Sequence, residues 1–298
     1  MKFNRNPLVS IMIPTYNRPR LFEKTLQSAI AQTYENIEIL INDNSTNEDT
    51  YFLMKKYLVD KRVRYFRNRE AKCKADNFSP FEYSAKGEYL QWCMDDDILH
   101  KDKLTMMVPV LRDNPSVTLV SSQRGFIDMA GNEVDGEKIN IVPDALIGMG
   151  YHGVAAGGFI LTELSNILGE PSAVLFRRND LQHHYWQADC RGYKAISDVV
   201  MWLELLEKGD LYLFREPLSF YRQHSSQEGQ QAEVILLSRC EWLKLLIEYY
   251  ERGVFINEEQ YQKGKDKLYN DYLRLSNNPN LVRAKNYLAY KECMEMLA

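Results

Sequence analysis

No glycine occurs ahead of Gly87 in this 298-residue chain. Dinucleotide fingerprints and P-loops both need glycines in the first strand-to-helix turn, so that backbone N–H groups can approach phosphate. Sugar-phosphate nucleotidyltransferases use a glycine-rich first loop as well. The corresponding turn here is Pro14-Thr15-Tyr16-Asn17-Arg18, which can supply none of these cradles. A basic excess is also missing: 37 Lys and Arg against 41 Asp and Glu leave a net charge of -4, without the footprint of a general nucleic-acid binder. The five cysteines, at 73, 93, 190, 240 and 293, are odd in number, scattered and without a Cys-x-x-Cys spacing. That favours free thiols in a reducing compartment over a disulfide framework. No apolar run approaches the roughly 20 residues of a membrane span. Met1 to Asn6 is polar, and Leu8 to Ile13 is too short for the apolar core of a signal peptide. A soluble, cytoplasmic protein is expected.

What is present is an ordinary globular composition, 45% hydrophobic and 26% charged, which allows a sizeable core. The most informative stretch is Gly87 to Leu99. Tyr89, Leu90, Trp92, Cys93 and Met94 read as a central strand covered on both faces, and it runs straight into Asp95-Asp96-Asp97. Three adjacent acids at the mouth of a buried strand repel one another and are costly to desolvate. A divalent cation would neutralise them. The plainer alternative is a solvated acidic turn ahead of a helix, with one Asp as N-cap.

Strands are predicted at Leu8 to Ile13, Ile37 to Ile41, Val63 to Phe66, the Gly87 stretch and Val117 to Ser121. Helices alternate with them: one after Asn17 as cap, with Leu21, Phe22, Leu26, Ala29 and Ile30 on its buried face, then about 48–59, through Phe78, Phe81 and Ala85, and 103–111. This alternation implies an α/β fold with a doubly wound, mostly parallel sheet, whose ligands sit beyond the carboxyl ends of the strands. The loops after Ile13, Ile41 and Met94 should therefore converge on one rim. Gly125 to Asn132 reads as a strand entering a hairpin turn, 135–170 as a glycine-rich surface excursion, and Ser172 to Phe176 as a further strand. Asp198 to Glu207 reads as an amphipathic helix, followed by extended segments at Leu211 to Phe214 and Leu218 to Tyr221. His224 to Gln231 is the clearest boundary, dividing 1–225 from a helical C-terminal extension over 226–298 with helices near 232–252, 257–275 and 281–297.

An ordered set of segments resembles the family 2 inverting glycosyltransferases of GT-A fold. The set runs through Pro14 to Arg18, Ala31 to Ile39, Asn42 to Thr46, Asn77, Ala85 to Tyr89 and Asp95 to Asp97. It continues with Gly169 to Arg178, Ser197 to Leu203 and Pro217 to His224. The likeness covers roughly residues 7 to 225. It departs at one point: the first Asp of the family's Asp-x-Asp-Asp pattern falls on Met94. Aligned this way, Asp96 is the favoured metal ligand and Asp95 lies nearer the ribose, although Asp95 and Asp97 also satisfy Asp-x-Asp.

The resemblance implies a nucleotide-diphosphate sugar donor, most simply a UDP-sugar, with Mn2+ or Mg2+ as cofactor. It implies a donor site of Pro14, Thr15, Tyr16, Arg18, Asp43, Asn77 and Asp95. A metal shell drawn from Asp96, Asp97 and His224 and a catalytic base at Asp198 complete it. Asp43 would accept the uracil N3–H, since a carboxylate only accepts; its plainer role is an Asx-turn. Asn77 could simply cap a helix, and His224 could be a surface histidine. Asp198 could be an N-terminal carboxylate favoured by the helix dipole, a placement that also suits a base taking the proton of an acceptor hydroxyl. Arg177 and Arg178 could pair acids or an anionic acceptor; His183 and His184 are acceptor-loop residues at best, and Tyr185 and Trp186 are ordinary core candidates.

The expected activity is transfer of a hexose or N-acetylhexosamine to a glycan or lipid-linked acceptor hydroxyl in bacterial surface polysaccharide or glycoconjugate synthesis. The rival is a catalytically silent GT-A-like scaffold of a glycan-assembly complex, suggested by Met94. Nucleic acid is not an expected partner. The C-terminal helices are expected to cover the domain or build a homo-oligomer. Peripheral association with the inner face of the membrane is a minor reading, because their exposed faces mix Lys, Arg and Glu.

Overall fold

The computed structural model describes residues 6–70, 73–134, 150–183, 191–224, 229 and 231–297. Its first half alternates as expected: β1 (Val9–Thr15), α1 (Pro19–Ile30), β2 (Ile37–Asp43), α2 (Asp49–Met54), β3 (Val63–Arg67), α3 (Lys74–Phe78), α4 (Pro80–Ser84) and β4 (Tyr89–Trp92). These strands lie in the order β3-β2-β1-β4 and are mutually parallel. Side chains alternate between two cores, as the two-residue strand period requires. Val9, Ile11 and Ile13 pack with Phe22, Leu26, Ile39 and Ile41 beneath α1, while Met12, Leu40 and Trp92 face the opposite core. Trp92 meets Phe78 and Phe81 with ring centroids 5.1 and 5.3 Å away. Gly87 is placed for close approach, since a Cβ there would lie 2.5 Å from the Ser10 amide nitrogen.

The second half runs β5 (Ile98–Leu99), α5 (Lys103–Asp113), β6 (Val117–Ile127), β7 (Gly150–Tyr151), α6 (Gly153–Glu163), β8 (Leu175–Arg177), α7 (Ser197–Leu206) and β9 (Asp210–Arg222). The sheet continues from β4 through β8, β6 and β9 to β5, with β7 on β9. β8 is antiparallel to both β4 and β6, whereas β6 and β9 are parallel. The sheet among the described residues is thus mixed but mostly parallel.

Three segments differ from the sequence expectation. The excursion read over 135–170 contains α6, and its first part, 135–149, lies outside the described residues. Glycine weakens a helix by about 1 kcal/mol, so the run Gly153 to Gly158 hid it. Gly157 and Gly158 are needed because Phe255 packs on them, its ring 2.5 Å from a Cβ built at Gly157. The two extended segments after 210 are one strand, β9. Finally, α7 is not amphipathic: every residue from Val199 to Leu206 is buried.

The C-terminal helices α8 (Ala232–Glu251) and α9 (Glu258–Leu275) pack on α6, which itself packs on α7, and α10 (Pro279–Val282) and α11 (Tyr287–Glu295) pack on α8. Leu236, Trp242, Leu243, Leu246 and Tyr249 share one core with Tyr193, Ile196, Trp202 and Leu203. The boundary expected at 225 falls among residues outside those described. No helix among the described residues is long and apolar enough to cross a membrane.

Candidate active site

Thr15 and Asp43 stand opposite each other where β1 and β2 end, and the Cys93 amide extends the β4 pairing to Met12. The three loops beyond these strands meet, as expected for a parallel sheet. Asn17 does for the glycine-free first turn what glycine does elsewhere, adopting a left-handed φ of 53° that Asn tolerates better than most residues. Its amide donates to Ser45 Oγ at 2.8 Å, and its Oδ1 accepts from the Thr46 amide at 2.9 Å. Asn17 therefore ties two loops together rather than capping α1, whose N-cap is Arg18.

Asp95 accepts from Thr15 Oγ1 at 2.9 Å and the Tyr16 amide at 3.3 Å, with Arg18 Nη1 3.4 Å from its second oxygen. Asp96 Oδ2 receives Arg18 Nη1 at 2.9 Å and lies 3.0 Å from His224 Nε2. Asp97 turns the other way. Its Oδ2 accepts from Ser172 Oγ at 2.6 Å, its Oδ1 from the Arg222 amide at 3.3 Å, and only 2% of its surface is exposed. These bonds hold Asp97 in the interior, whereas Asp96 meets Arg18 and His224. Among the described residues no three acidic, His or Cys side chains form a group that could hold a metal ion.

Charge is scarce here in one sign. Burial, and secondarily Asp96, pushes the Asp95 carboxyl up to about 6. The same two causes raise Asp97 well above the usual carboxylate range. Arg222 is fully buried beneath them, donating from Nε to the Asp96 carbonyl at 2.8 Å and from Nη1 to the Asp128 carbonyl at 2.7 Å. Burial lowers its pKa, and Asp96 and Asp97 counter that. Lys103 is also fully buried, donating to the Ala173 carbonyl at 2.7 Å; burial pulls its pKa down to about 7.

Pro14 is buried in β1, opposite Asn42. Tyr16 is half exposed. Asp43 is fully buried and accepts from the Ser45 amide at 2.8 Å, the Asx-turn bond, and from the Tyr65 hydroxyl at 2.6 Å. Asn77 lies inside α3, whose N-cap is Cys73. Its Nδ2 donates to the Thr15 carbonyl at 3.3 Å, and its buried Oδ1 has no hydrogen-bond partner among the described residues.

Asp198 is the second residue of α7, half-buried, and accepts from Asn166 Nδ2 at 2.7 Å. The backbone entering α7 is gripped by a residue of the C-terminal helices. Glu241, on α8, accepts from the amides of Lys194, Ala195 and Ile196 at 2.8, 2.8 and 3.0 Å. Arg191 pairs with Glu204 and Glu248 beside it. Arg177 pairs with Asp180 at 3.3 Å and also donates to the carbonyls of Val117, Leu111 and Asn114, and Arg178 donates to that of Ala85. His183 pairs with Glu204, and His184, Tyr185 and Trp186 lie outside the described residues.

Residues 10–154 match the family model described as "Glycosyl transferase family 2". That segment belongs to glycosyl transferase family 2. The whole chain is 24% identical to the GalNAc(5)-diNAcBac-PP-undecaprenol beta-1,3-glucosyltransferase of Campylobacter jejuni, over 97% of this chain and 87% of that protein. It spans less than half the length of other curated relatives, 46% of the Bacillus subtilis protein CgeD and 21% of a Rickettsia felis glycosyltransferase. Among solved structures, S. aureus TarS 1-349 in complex with UDP-GlcNAc superposes with a TM-score of 0.62 at 14% identity, covering 97% of this chain and 79% of that one. The Pyrobaculum calidifontis mannosyltransferase PcManGT, in complex with GDP-Man and Mn2+, gives 0.52 at 14%, covering 99% and 86%. The fold is accordingly that of GT-A transferases.

Ser172, Arg222, Lys103, Asn166 and Glu241 were not singled out from the sequence. Ser172 and Arg222 lie in segments that resemble the family, and that was their only signal. Glu241 gave none, because its partners are 45 to 47 residues away.

Proposed function

We propose that the protein is an inverting glycosyltransferase using a nucleotide-diphosphate sugar, a UDP-sugar by preference, and a glycan or lipid-linked acceptor hydroxyl. The observation that carries this is the convergence of the β1, β2 and β4 loops, which brings Arg18, Asp95, Asp96 and His224 together at the carboxyl end of the sheet. A metal fits the donor set in part. Asp96 and His224 offer a carboxylate and an imidazole, and Mg2+ or Mn2+ in such sites takes its remaining oxygens from phosphate and water. Bound there, the cation would neutralise charge on the leaving diphosphate. Burial first, and Asp96 second, raise the pKa values of Asp95 and Asp97, and a cation at Asp96 would offset that second contribution.

Arg18 stands where it can move from the carboxylates to phosphate oxygens, for which guanidinium is suited. The unsatisfied Asn77 Oδ1 is a buried acceptor beside the Thr15 carbonyl, and it suits a donor N–H or hydroxyl of the nucleotide. Asp43, already bonded on both oxygens, would meet the uracil imide only by sharing an acceptor. Asp198 takes the proton of the acceptor hydroxyl as its oxygen attacks the anomeric carbon. No second carboxylate is required as acid, unlike in glycosidases. Met94, the feature behind the scaffold reading, donates its amide to Ser172 Oγ at 2.9 Å and packs against the core, so its replacement of an acid leaves Asp96 in place. The TarS complex with UDP-GlcNAc and the undecaprenol-linked acceptor in the Campylobacter enzyme's name are in keeping with donor and acceptor class.

A thermal-shift screen of UDP- and GDP-sugars with and without Mn2+ tests this. Stabilisation by a nucleotide sugar with metal, abolished in Asp96→Ala, is expected. No stabilisation by any nucleotide with metal present would favour the scaffold.

A further inference from the structure

We infer that Asn166 is a positioning residue for Asp198, holding its carboxylate ionised and in one orientation; this rests on Asp198 being the base. Asn166 lies in the loop between α6 and β8. The loop begins at Leu164, left-handed at φ 51°, and turns at Gly169, φ 93°. A Cβ on Gly169 would lie 2.9 Å from Ala173 Cβ and 3.1 Å from Arg124 Cδ, so the turn is tightly walled. Inside it, Asn166 Oδ1 accepts from the Gly169 amide at 3.1 Å. That bond fixes which end of the carboxamide carries the N–H groups, an assignment that otherwise rests on the network around it. Nδ2 then donates to the Gly169 carbonyl at 3.0 Å and to Asp198 Oδ2 at 2.7 Å. Trp202, one turn along α7 from Asp198, donates from Nε1 to the same Gly169 carbonyl at 3.2 Å. The loop and the base-bearing helix are thus joined at two points one helical turn apart.

An N–H donated to a carboxylate favours its charged form. A base must be ionised to accept a proton, so Asn166 extends the working range of Asp198 toward lower pH.

Asn166→Asp separates the two roles of this side chain. It keeps an oxygen for the Gly169 amide and leaves the Gly169 carbonyl to Trp202 Nε1, but faces Asp198 with a like charge in place of a donor. Carbon-13 carboxyl NMR of the free protein reads the result without any ligand, with Asp198→Asn identifying the resonance. Asp198 is expected to titrate about one pH unit higher in Asn166→Ala and higher still in Asn166→Asp. The acidic limb of kcat/KM for UDP release from UDP-glucose or UDP-N-acetylglucosamine should move up equally, with KM changed little. Unaltered titration of Asp198 in a folded Asn166→Asp protein overturns the inference. Full UDP release by Asp198→Asn would instead overturn the base assignment, while the titration still reports on the contact.

Discussion

Asp95, Asp96 and Asp97 are presented by one region of the molecule and Asp198 by another, and the two are built differently. The first is a row of parallel strands, β2-β1-β4, whose ends come level because their registers do, Thr15 opposite Asp43 and Met12 opposite Trp92. Its loops are short and cross-linked by hydrogen bonds from Asn17 and Thr15. The second is a helix, α7, whose entry is held by Glu241 from α8 and whose Asp198 carboxylate is held by Asn166 from the loop after α6. The acid loop is a product of sheet topology. The wall that carries Asp198, the proposed base, is held from the last quarter of the chain.

Truncation at residue 225 is the strongest way to break this comparison. It strips Leu236, Trp242, Leu243, Leu246 and Tyr249 from the core around Trp202. Each such deletion costs roughly 2–5 kcal/mol, against a typical total stability of about 5–15 kcal/mol. Residues 1–225 should give no cooperative unfolding transition by circular dichroism. A fragment melting like the full chain would show that the base wall stands without its cover.

Asp97 and Asp96 sharpen it next. Asp97→Ala leaves the Ser172 hydroxyl and the Arg222 amide without their buried acceptor and should cost about 3 kcal/mol in urea unfolding. Asp96→Ala should change stability by no more than about 1 kcal/mol, yet lose stabilisation by Mn2+ with UDP. The opposite pattern would exchange the roles of the two neighbours. Glu241→Ala, which removes the acceptor of three backbone amides, should cost about 2 kcal/mol, with Glu241→Gln milder. Equal stability in both variants would mean that the entry to α7 is held by packing alone.

The smallest effect is on pH. The folded Asp95 carboxyl is raised to about 6 from an ordinary value near 4, so between these values the folded state binds more protons than the unfolded one. Its contribution to stability therefore declines as pH rises from about 4 to about 6 and is level above. A bound cation favours the ionised form, so the thermal shift produced by Mn2+ with UDP should grow over the same window. A shift of equal size at pH 5 and pH 7 would remove Asp95 from the electrostatics of the site.

Much of the acid rim was legible in the chain. Period-two apolar strands at 9–13 and 37–41 fixed which side chains enter each core, and the strand-to-helix alternation fixed where the loops point. The absence of glycine before Gly87 excludes a glycine-rich phosphate cradle in the first turn. The same reasoning failed where local pattern and environment part company. Helix α6 was hidden by its glycines, which serve Phe255 from far along the chain. Helix α7 looked amphipathic because α6, itself hidden by its glycines, and β6 both pack on it and bury it all round.

The three acids show the division most plainly. By itself the sequence determined that three adjacent carboxylates would stand at the end of a buried strand, because strand period and apolar content are local properties. Which of them faces the site was decided by tertiary structure. The chain turns at Asp95 and Asp96, with the Asp97 amide donating to the Met94 carbonyl at 3.1 Å, and only Ser172, Arg222, Arg18 and His224, brought in from distant segments, give the three side chains their partners. Asp97 was drawn inward to Ser172 and Arg222, and Asp96 was left facing Arg18 and His224.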